Sequence, residues 1–282
     1  MPDAGRTSEA LLALDEITRR LRVECPWDRE QDERSIVPHT VEEAYELADA
    51  AHARDDAKLL DELGDVLFQV HFLSLLLEER GAGDLAQVAD HCHDKLVRRH
   101  PHVFGEELPE GATGASTSGQ VLRNWDAIKA TEPGRAAGLF ADVPQALPAL
   151  LHARKVQRRA AASGFDFPGV EQGLEGVQAE ADAVGEIAER AGDDAQRGSA
   201  AADDVRDALF SEVGDLLFAA VNVARKLRVD PELALRASSG RFAGRVQTAA
   251  DLARAEGAEW SDLTPERQLG YYAQVRLGEL DG

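Results

Sequence analysis

Two groups of carboxylates near the start of the chain have a spacing that would allow them to share one ligand. Glu42 and Glu43 are four and three residues before Glu46, so both lie close to it on one side of a helix. Glu62 and Asp65 are three residues apart on the next predicted helix. If the two helices pack antiparallel, Glu43, Glu46, Glu62 and Asp65 converge on an all-oxygen site. Such a site suits Mg²⁺, or alternatively Mn²⁺, because both are hard cations that prefer oxygen ligands.

Each of these acids also has a purely structural interpretation. Thr40 and Glu43 have the spacing of a capping box, so Glu43 could simply cap a helix. Glu62 and Asp65 could be ordinary exposed carboxylates. The combination of the two carboxylate groups favours a metal site. In the second group the acids lie beside the apolar residues Val66 and Leu67 rather than on the opposite face of the helix.

Basic and aromatic residues with the chemistry of a phosphate and base site follow later. Lys95 and Arg99 lie on one face of a predicted helix, and Trp125 and Lys129 lie on one face of another. Lysine and arginine bind phosphate oxygens, and tryptophan offers a stacking surface for a base. The alternative is a solvated rim around a core tryptophan. A zinc site among the histidines of 91–102 is also conceivable, but no recognised ligand spacing fits it.

Net charge limits the classes of partner. The 282 residues carry a formal net charge of −21, which argues against non-specific binding of nucleic acid or of an anionic membrane surface. Nine acidic and two basic residues fall within 42–65, and eleven acidic and three basic residues fall within 180–215. Clustered like charges destabilise the fold unless something neutralises them, and a divalent cation would do so. The alternative is a solvated acidic helix face.

Cysteine content and hydropathy favour a cytoplasmic protein. Cys25 and Cys92 are the only cysteines, so a disulfide framework is excluded. The first ten residues lack the apolar segment of a secretory signal. No apolar run approaches the ~20 residues of a membrane helix. We therefore expect no membrane partner.

Periodicity predicts helices nearly throughout the chain. The predicted helices cover residues 7–23, 40–53, 57–80, 86–99, 119–130, 145–162, 171–191, 203–228, 231–256 and 264–277. Residues 105–120 are rich in Gly, Ser and Pro and indicate a loop. Their Gly-rich part lacks the G-K-[ST] ending of a phosphate-binding loop.

An internal repeat divides the chain into two copies of one helical unit. Residues 61–74 (DELGDVLFQVHFLS) match residues 211–224 (SEVGDLLFAAVNVA) at an offset of 150. Because repeats determine architecture, we predict an all-α fold of two tandem helical-bundle units. The expected boundaries are 1–130 for the first unit, 131–146 for a linker and 147–282 for the second unit.

These motifs together resemble the MazG family of nucleoside triphosphate pyrophosphohydrolases over almost the whole chain. The residues that carry the resemblance are CPWDREQ (25–31), TVEEAYEL (40–47), DELGDVLFQV (61–70), DKLVRRHPHVF (94–104) and NWDAIK (124–129), with LPALLHARKVQRRA (147–160), GFDF (164–167) and EVGDLLFAAVNVAR (212–225) in the second half. The resemblance implies tandem all-α domains, a homodimer and Mg²⁺-dependent hydrolysis of nucleoside triphosphates to the monophosphate and pyrophosphate. We expect such an enzyme to serve in nucleotide-pool house-cleaning.

The resemblance also assigns roles to single residues. It implies that Glu43, Glu46, Glu62 and Asp65 bind Mg²⁺ and that Glu42 assists the metal site or orients water. It further implies that the nucleotide contacts one group of residues: Lys95, Arg99, Trp125 and Lys129.

The second unit departs from this pattern. The first carboxylate motif falls on residues 179–183, where Glu180 survives and Asp182 is a possible substitute. The remaining candidates for a second site are Glu212, Asp215, Arg241, Arg245, Tyr272 and Arg276. Because Mg²⁺ demands near-octahedral oxygen geometry, a missing carboxylate weakens binding. We therefore predict that the first unit is catalytic and that the second is weakened, or mainly structural and dimerising.

Two other classes of function fit the same residues. One is a non-catalytic module that binds Mg–nucleotide and releases it unchanged, and the other is a helical scaffold with acidic faces. Within the enzymes, a related all-α pyrophosphohydrolase acting on a modified nucleotide is a further alternative.

Overall fold

The computed structural model describes residues 3–105, 117, 119–121, 124, 125, 128, 138–194 and 199–279, with the backbone alone at 191–194 and 199–203. The chain forms two compact units, Met1–Pro133 and Gly134–Gly282. The described part of the first unit contains the helices α1 Ala4–Glu24, α2 Pro26–Glu30, α3 Glu33–Ala53, α4 Asp56–Glu79, α5 Leu85–Arg99 and α6 Pro101–Phe104. The described residues contain no strand, which confirms the all-α prediction.

Helices α3 and α4 form a hairpin joined by only Arg54 and Asp55. Arg54 has a left-handed conformation (φ 56°) that ends α3, and the Asp55 side chain accepts a hydrogen bond from the backbone of Lys58 to begin α4. The facing pairs show that the helices run antiparallel. Glu46 lies near Lys58, and Thr40 donates a hydrogen bond to Gln69 further along the hairpin.

Helix α3 begins seven residues earlier than the periodicity predicted. Asp32 caps it in a reciprocal capping box with Ser35, and Thr40 lies inside the helix, where its hydroxyl donates to the Ile36 carbonyl. The interpretation of Glu43 as a capping residue is therefore wrong. Pro38 lies inside this helix, where proline is uncommon because it lacks a backbone donor.

The core of the first unit lies between the hairpin and α1. Ile36, Phe72 and Leu76 form a buried cluster. Helix α1 is held against α4 by Arg19, whose guanidinium donates two hydrogen bonds to Glu78. These contacts fix α4, the helix that carries two of the candidate ligands.

The apolar residues along one side of α4 are only partly buried. Leu67 is 37% exposed and Val70 is 39% exposed, and Leu60 and Leu63 on the same helix are more exposed still. The buried positions of α4 instead include polar side chains, among them Glu62 and Gln69. Periodicity identified the helix correctly but not the side that faces the core of its own unit.

The described part of the second unit repeats the hairpin. Its helices are α7 Ala149–Ala162, α8 Val170–Asp194, α9 Ser199–Lys226, α10 Pro231–Ala255 and α11 Pro265–Gly278, with a 3₁₀ turn at Trp260–Asp262. Helices α8 and α9 pack on each other, and so do α10 and α11. A second buried cluster joins Ala249 and Ala253 of α10 to Tyr271 of α11.

The boundary between the units falls inside the predicted linker of residues 131–146. Residues 131–137 of that linker, and most of the predicted loop at 105–120, lie outside the described residues. The described remainder of the linker is packed in the second unit, where Val143 is buried and Asp142 pairs with Arg159 of α7. Among the helices of the described residues, none combines the length and the apolar character that a membrane span requires.

Candidate functional site

Three of the predicted carboxylates meet between α3 and α4. Glu43, Glu62 and Asp65 each offer one oxygen, and these oxygens all lie within 4.8 Å of one another. Glu62 and Asp65 are one helical turn apart, so both point toward the same part of α3. The antiparallel hairpin brings Glu43 opposite them. We call these three residues the first triad.

Burial and mutual repulsion define the electrostatics of the first triad. Glu62 is only 5% exposed, and this burial, followed by the charge of Glu46, raises the pKa of the Glu62 carboxyl above its ordinary value. Burial also raises the pKa of Glu43, with the nearby charges of Asp65, Glu46 and Glu62 adding to the effect. A raised pKa means that the lost solvation and the repulsion between the carboxylates are not fully offset by nearby positive charge. A bound cation would relieve that repulsion.

Glu46 and Glu42 lie at the margin of the first triad. Glu46 is not one of the three clustered carboxylates, but its oxygen is 4.0 Å from the Lys58 ammonium, which is in turn 3.7 Å from Glu62. Glu42 is more exposed and lies 3.7 Å from the His39 ring. The hairpin thus brings three of the five predicted acids together, with Glu46 adjacent and Glu42 further out.

Sequence reasoning missed Lys58 as a site residue. Its position four residues before Glu62 was the available signal, because that spacing places two side chains on one helix face. Lys58 partly offsets the effect of the other acids by lowering the pKa of Glu62. It is therefore a cation built into the acidic site.

The donor set fits a hard divalent cation. Carboxylates from two facing helices supply oxygen atoms only, which suits Mg²⁺ or Mn²⁺ better than a metal that prefers sulfur or imidazole. The remaining coordination positions would be available to water and substrate, as is usual for Mg²⁺.

An open groove adjoins the first triad on α4. It has a volume of about 620 Å³, and its lining residues include Lys58, Asp61, Gly64 and Asp65. No atom lies within 4 Å of the position that a Cβ on Gly64 would occupy, so packing within the described chain does not require glycine there. The missing side chain instead keeps the groove open beside Asp65.

The predicted basic and aromatic residues are partly brought together. Helix α5 packs on α4 and carries Lys95 one turn before Arg99. The Arg99 guanidinium lies 5.5 Å from the centre of the Trp125 ring, and His100 meets the same ring edge-on at 4.9 Å. Lys129 lies outside the described residues.

The alternative of a zinc site at residues 91–102 gains no support. Within the parts of the chain that the structure describes, the groups able to hold a metal contain carboxylates alone. His93 instead contacts its neighbour Asp94 at 3.0 Å.

The second unit contains an equivalent triad. Glu180, Glu212 and Asp215 each offer an oxygen within 4.8 Å of the others. The proposed substitute Asp182 is not part of this group, and its carboxylate accepts a hydrogen bond from Gln178 on its own helix. The second triad therefore lacks a fourth carboxylate from α8 in the position of Glu46.

The basic residues of the second unit are engaged by an internal acid. Arg245 donates hydrogen bonds of 2.6–3.1 Å to both carboxylate oxygens of Glu279. These bonds lower the pKa of Glu279, and the charges of Arg276 and Arg241 add to the shift. Tyr272 packs against Phe242, with 5.7 Å between the ring centres.

Comparison with known proteins identifies relatives along the whole chain. Residues 31–104 match the family model described as the MazG nucleotide pyrophosphohydrolase domain. The nucleoside triphosphate pyrophosphohydrolase of Escherichia coli (strain K12) is 37% identical over 259 residues, covering 91% of this chain and 92% of the relative. The nucleoside triphosphate pyrophosphohydrolase/pyrophosphatase MazG of Thermotoga maritima is 34% identical over 280 residues, covering 99% of each chain.

Proposed function

This chain belongs to the MazG family of nucleotide pyrophosphohydrolases, and from that premise we propose that it hydrolyses nucleoside triphosphates to the monophosphate and pyrophosphate with the help of Mg²⁺. The observation that carries the proposal is the first triad. Its three carboxylates offer only oxygen atoms, their negative charges are not fully offset by nearby positive charge, and they lie beside an open groove. Mn²⁺ fits the same donor set.

The chain's own residues divide the work. Glu43, Glu62 and Asp65 would hold the cation, with Glu46 completing the set, and we assign to Glu42 the role of assisting the metal site or orienting water. When bound, the cation supplies positive charge to the phosphate oxygens and acidifies a coordinated water. Lys95 and Arg99 bind phosphate oxygens. Trp125 presents a face for the base, and Lys129 follows it four residues later in the sequence.

We further propose that the protein is a homodimer. Leu60, Leu63, Leu67 and Val70 form an apolar face on α4, and each is at least 37% exposed within the single chain. A contiguous apolar face of this kind is typical of a protein–protein interface. A second copy of the chain would cover it.

The cellular role that we propose is removal of unwanted nucleotides from the cytoplasmic triphosphate pool. The proposed partners are therefore nucleoside triphosphates and a second copy of the chain, rather than nucleic acid or a membrane.

Product analysis tests the activity directly. Purified protein with a nucleoside triphosphate and Mg²⁺ should yield the monophosphate and pyrophosphate in equal amounts, and a chelator should stop the reaction. Glu43→Gln should lower turnover strongly, whereas Asp56→Asn, in the first turn of the same hairpin's second helix, serves as the matched control. Release of the diphosphate and inorganic phosphate would contradict the proposal, and binding without turnover would favour a non-catalytic nucleotide module.

A further inference from the structure

Lys58 occupies an unusual place for a lysine, between two carboxylates of the acidic site. Its ammonium nitrogen is 3.7 Å from a Glu62 oxygen and 4.0 Å from a Glu46 oxygen. Both distances exceed a normal hydrogen bond, so the ammonium acts as a charge shared by the two acids rather than as a donor committed to one. The Lys58 side chain is 49% exposed, whereas that of Glu62 is only 6% exposed.

The second unit shows what the same cluster looks like without this lysine. Aligning the triads places Glu180 at Glu43, and Glu212 and Asp215 at Glu62 and Asp65.

In that alignment Glu46 corresponds to Ala183, and Lys58 corresponds to Ala208. The fourth carboxylate and the lysine are thus present together in one unit and absent together in the other. Within the set made of the first triad, Glu46 and Lys58, the added negative charge is matched by one added positive charge, so this set carries the same formal charge as the second triad.

We propose that Lys58 is a positioning residue that serves as an internal counter-ion shared by Glu46 and Glu62 in the metal-free protein. Its positive charge allows a fourth carboxylate, Glu46, to lie beside the first triad without making the cluster more negative. An ammonium and a divalent cation compete for the same carboxylate oxygens, so the Lys58 side chain moves away from these oxygens when the cation binds. This inference rests on the proposed function, which assigns the cation to the first triad.

The open groove provides space for the displaced Lys58 side chain. Lys58 lines the groove beside Asp61 and Asp65, and its exposed end can move into this open space without disturbing the core. The released ammonium would then face the region where phosphate oxygens approach the cation. A lysine carries a flexible four-carbon stem, which suits this movement better than a buried, rigid cation would.

Calorimetric titration of the full chain with Mn²⁺ in the absence of nucleotide tests the inference. Lys58→Met should bind the ion roughly tenfold more tightly at low ionic strength, because a competing charge has been removed. The gain should shrink in high salt, since exposed charges are screened. Lys58→Arg, which keeps the charge, should restore an affinity close to that of the unmodified chain.

A double-mutant cycle identifies the partner. In a Glu46→Gln background, Lys58→Met should change Mn²⁺ affinity much less than it does alone, because the two residues are coupled. The melting temperature of metal-free Lys58→Met should also fall below that of the unmodified chain and recover when Mn²⁺ is added.

The outcomes separate this inference from the proposed function. Equal or weaker Mn²⁺ binding by Lys58→Met, with normal binding by the unmodified chain, would overturn the counter-ion role and leave the proposed function standing. A failure of the unmodified chain to bind Mn²⁺ at all would overturn the proposed function and the inference with it.

Discussion

Glu62 places a carboxylate in the interior of the first unit, where a charge is poorly solvated. Its pKa is raised mainly by burial, and Glu46 and Asp65 add to the shift while Lys58 opposes it. Groups with shifted pKa values often mark functional sites, because solvation is lost there in exchange for a ligand. Glu62 is therefore a residue whose charge a bound cation would stabilise.

The raised pKa of Glu62 predicts a pH dependence of stability. A carboxyl whose pKa is higher in the folded chain binds more protons when folded, so the free energy of unfolding falls as pH rises from the ordinary carboxyl pKa of about 4.3 through the raised value. Glu62→Gln removes this loss. In thermal unfolding without metal, the variant should therefore gain stability over the unmodified chain as pH rises toward neutrality.

Mg²⁺ should reverse the order of the two proteins at neutral pH, because it stabilises only the chain that keeps the carboxylate. Glu9→Gln, on the exposed surface of α1, provides the control. A pH-independent difference between Glu62→Gln and the unmodified chain would show that Glu62 acts through packing and not through its charge.

The spacing of the acids predicted the convergence of Glu43, Glu62 and Asp65 because it depends only on helical geometry and an antiparallel hairpin. Lys58 was not predicted as a site residue, although its four-residue spacing from Glu62 places both side chains on one face of α4. Its proximity to Glu46 could not be predicted, because it depends on how the side chains extend across the hairpin. That second contact is tertiary and is not contained in the spacing.

The α3–α4 hairpin is the element that creates the site, and its ends are strongly determined. Asp32 and Ser35 begin α3, and Asp55 begins α4 immediately after the left-handed Arg54. Gly81, with φ of 65°, follows the last residues of α4 in a left-handed conformation and ends the helix. The amide of Ala82 donates to the Leu77 carbonyl, which completes the usual C-terminal capping pattern.

Capping at Asp55 should contribute measurably to stability. Asp55→Ala removes the side-chain acceptor for the Lys58 amide and should lower the free energy of unfolding by about 1 kcal/mol. Asp56→Ala is the matched control, because it removes an exposed acid from the first turn without removing the cap and should cost only about 0.3 kcal/mol. Urea titration followed by circular dichroism measures both, and equal losses would show that charge, not capping, is what matters.

At the scale of the whole molecule, both units contain a carboxylate triad on a helical hairpin, and the two triads differ in the residues around them. Both units bring three carboxylates together, but only the first adds Glu46, while residue 183 of the second is alanine. In the second unit Arg245 is also paired with Glu279. The repeat in sequence predicted both hairpins, and the degraded motif anticipated the missing carboxylate. The engagement of Arg245 could not be anticipated, because Glu279 lies on no motif.

The difference between the units predicts an asymmetric response to mutation. Glu46→Gln should lower kcat/KM by about 100-fold or more, because weakening a cation site removes several kcal/mol of charge stabilisation. Glu180→Gln in the second unit should change it little. Steady-state pyrophosphate release measures both variants, with circular dichroism to establish that they fold. The reverse pattern would assign catalysis to the second unit.

The two-residue connection between α3 and α4 has a kinetic consequence. All the carboxylates of the first triad lie within residues 43–65, so assembling them requires only contacts that are local in sequence. Local contacts form early in folding, because little chain entropy is lost in closing a short loop. The same step brings like charges together, which slows it when no cation is present. Mg²⁺ should therefore accelerate refolding of the first unit, and the proposed catalytic site would first serve as a nucleus for its folding.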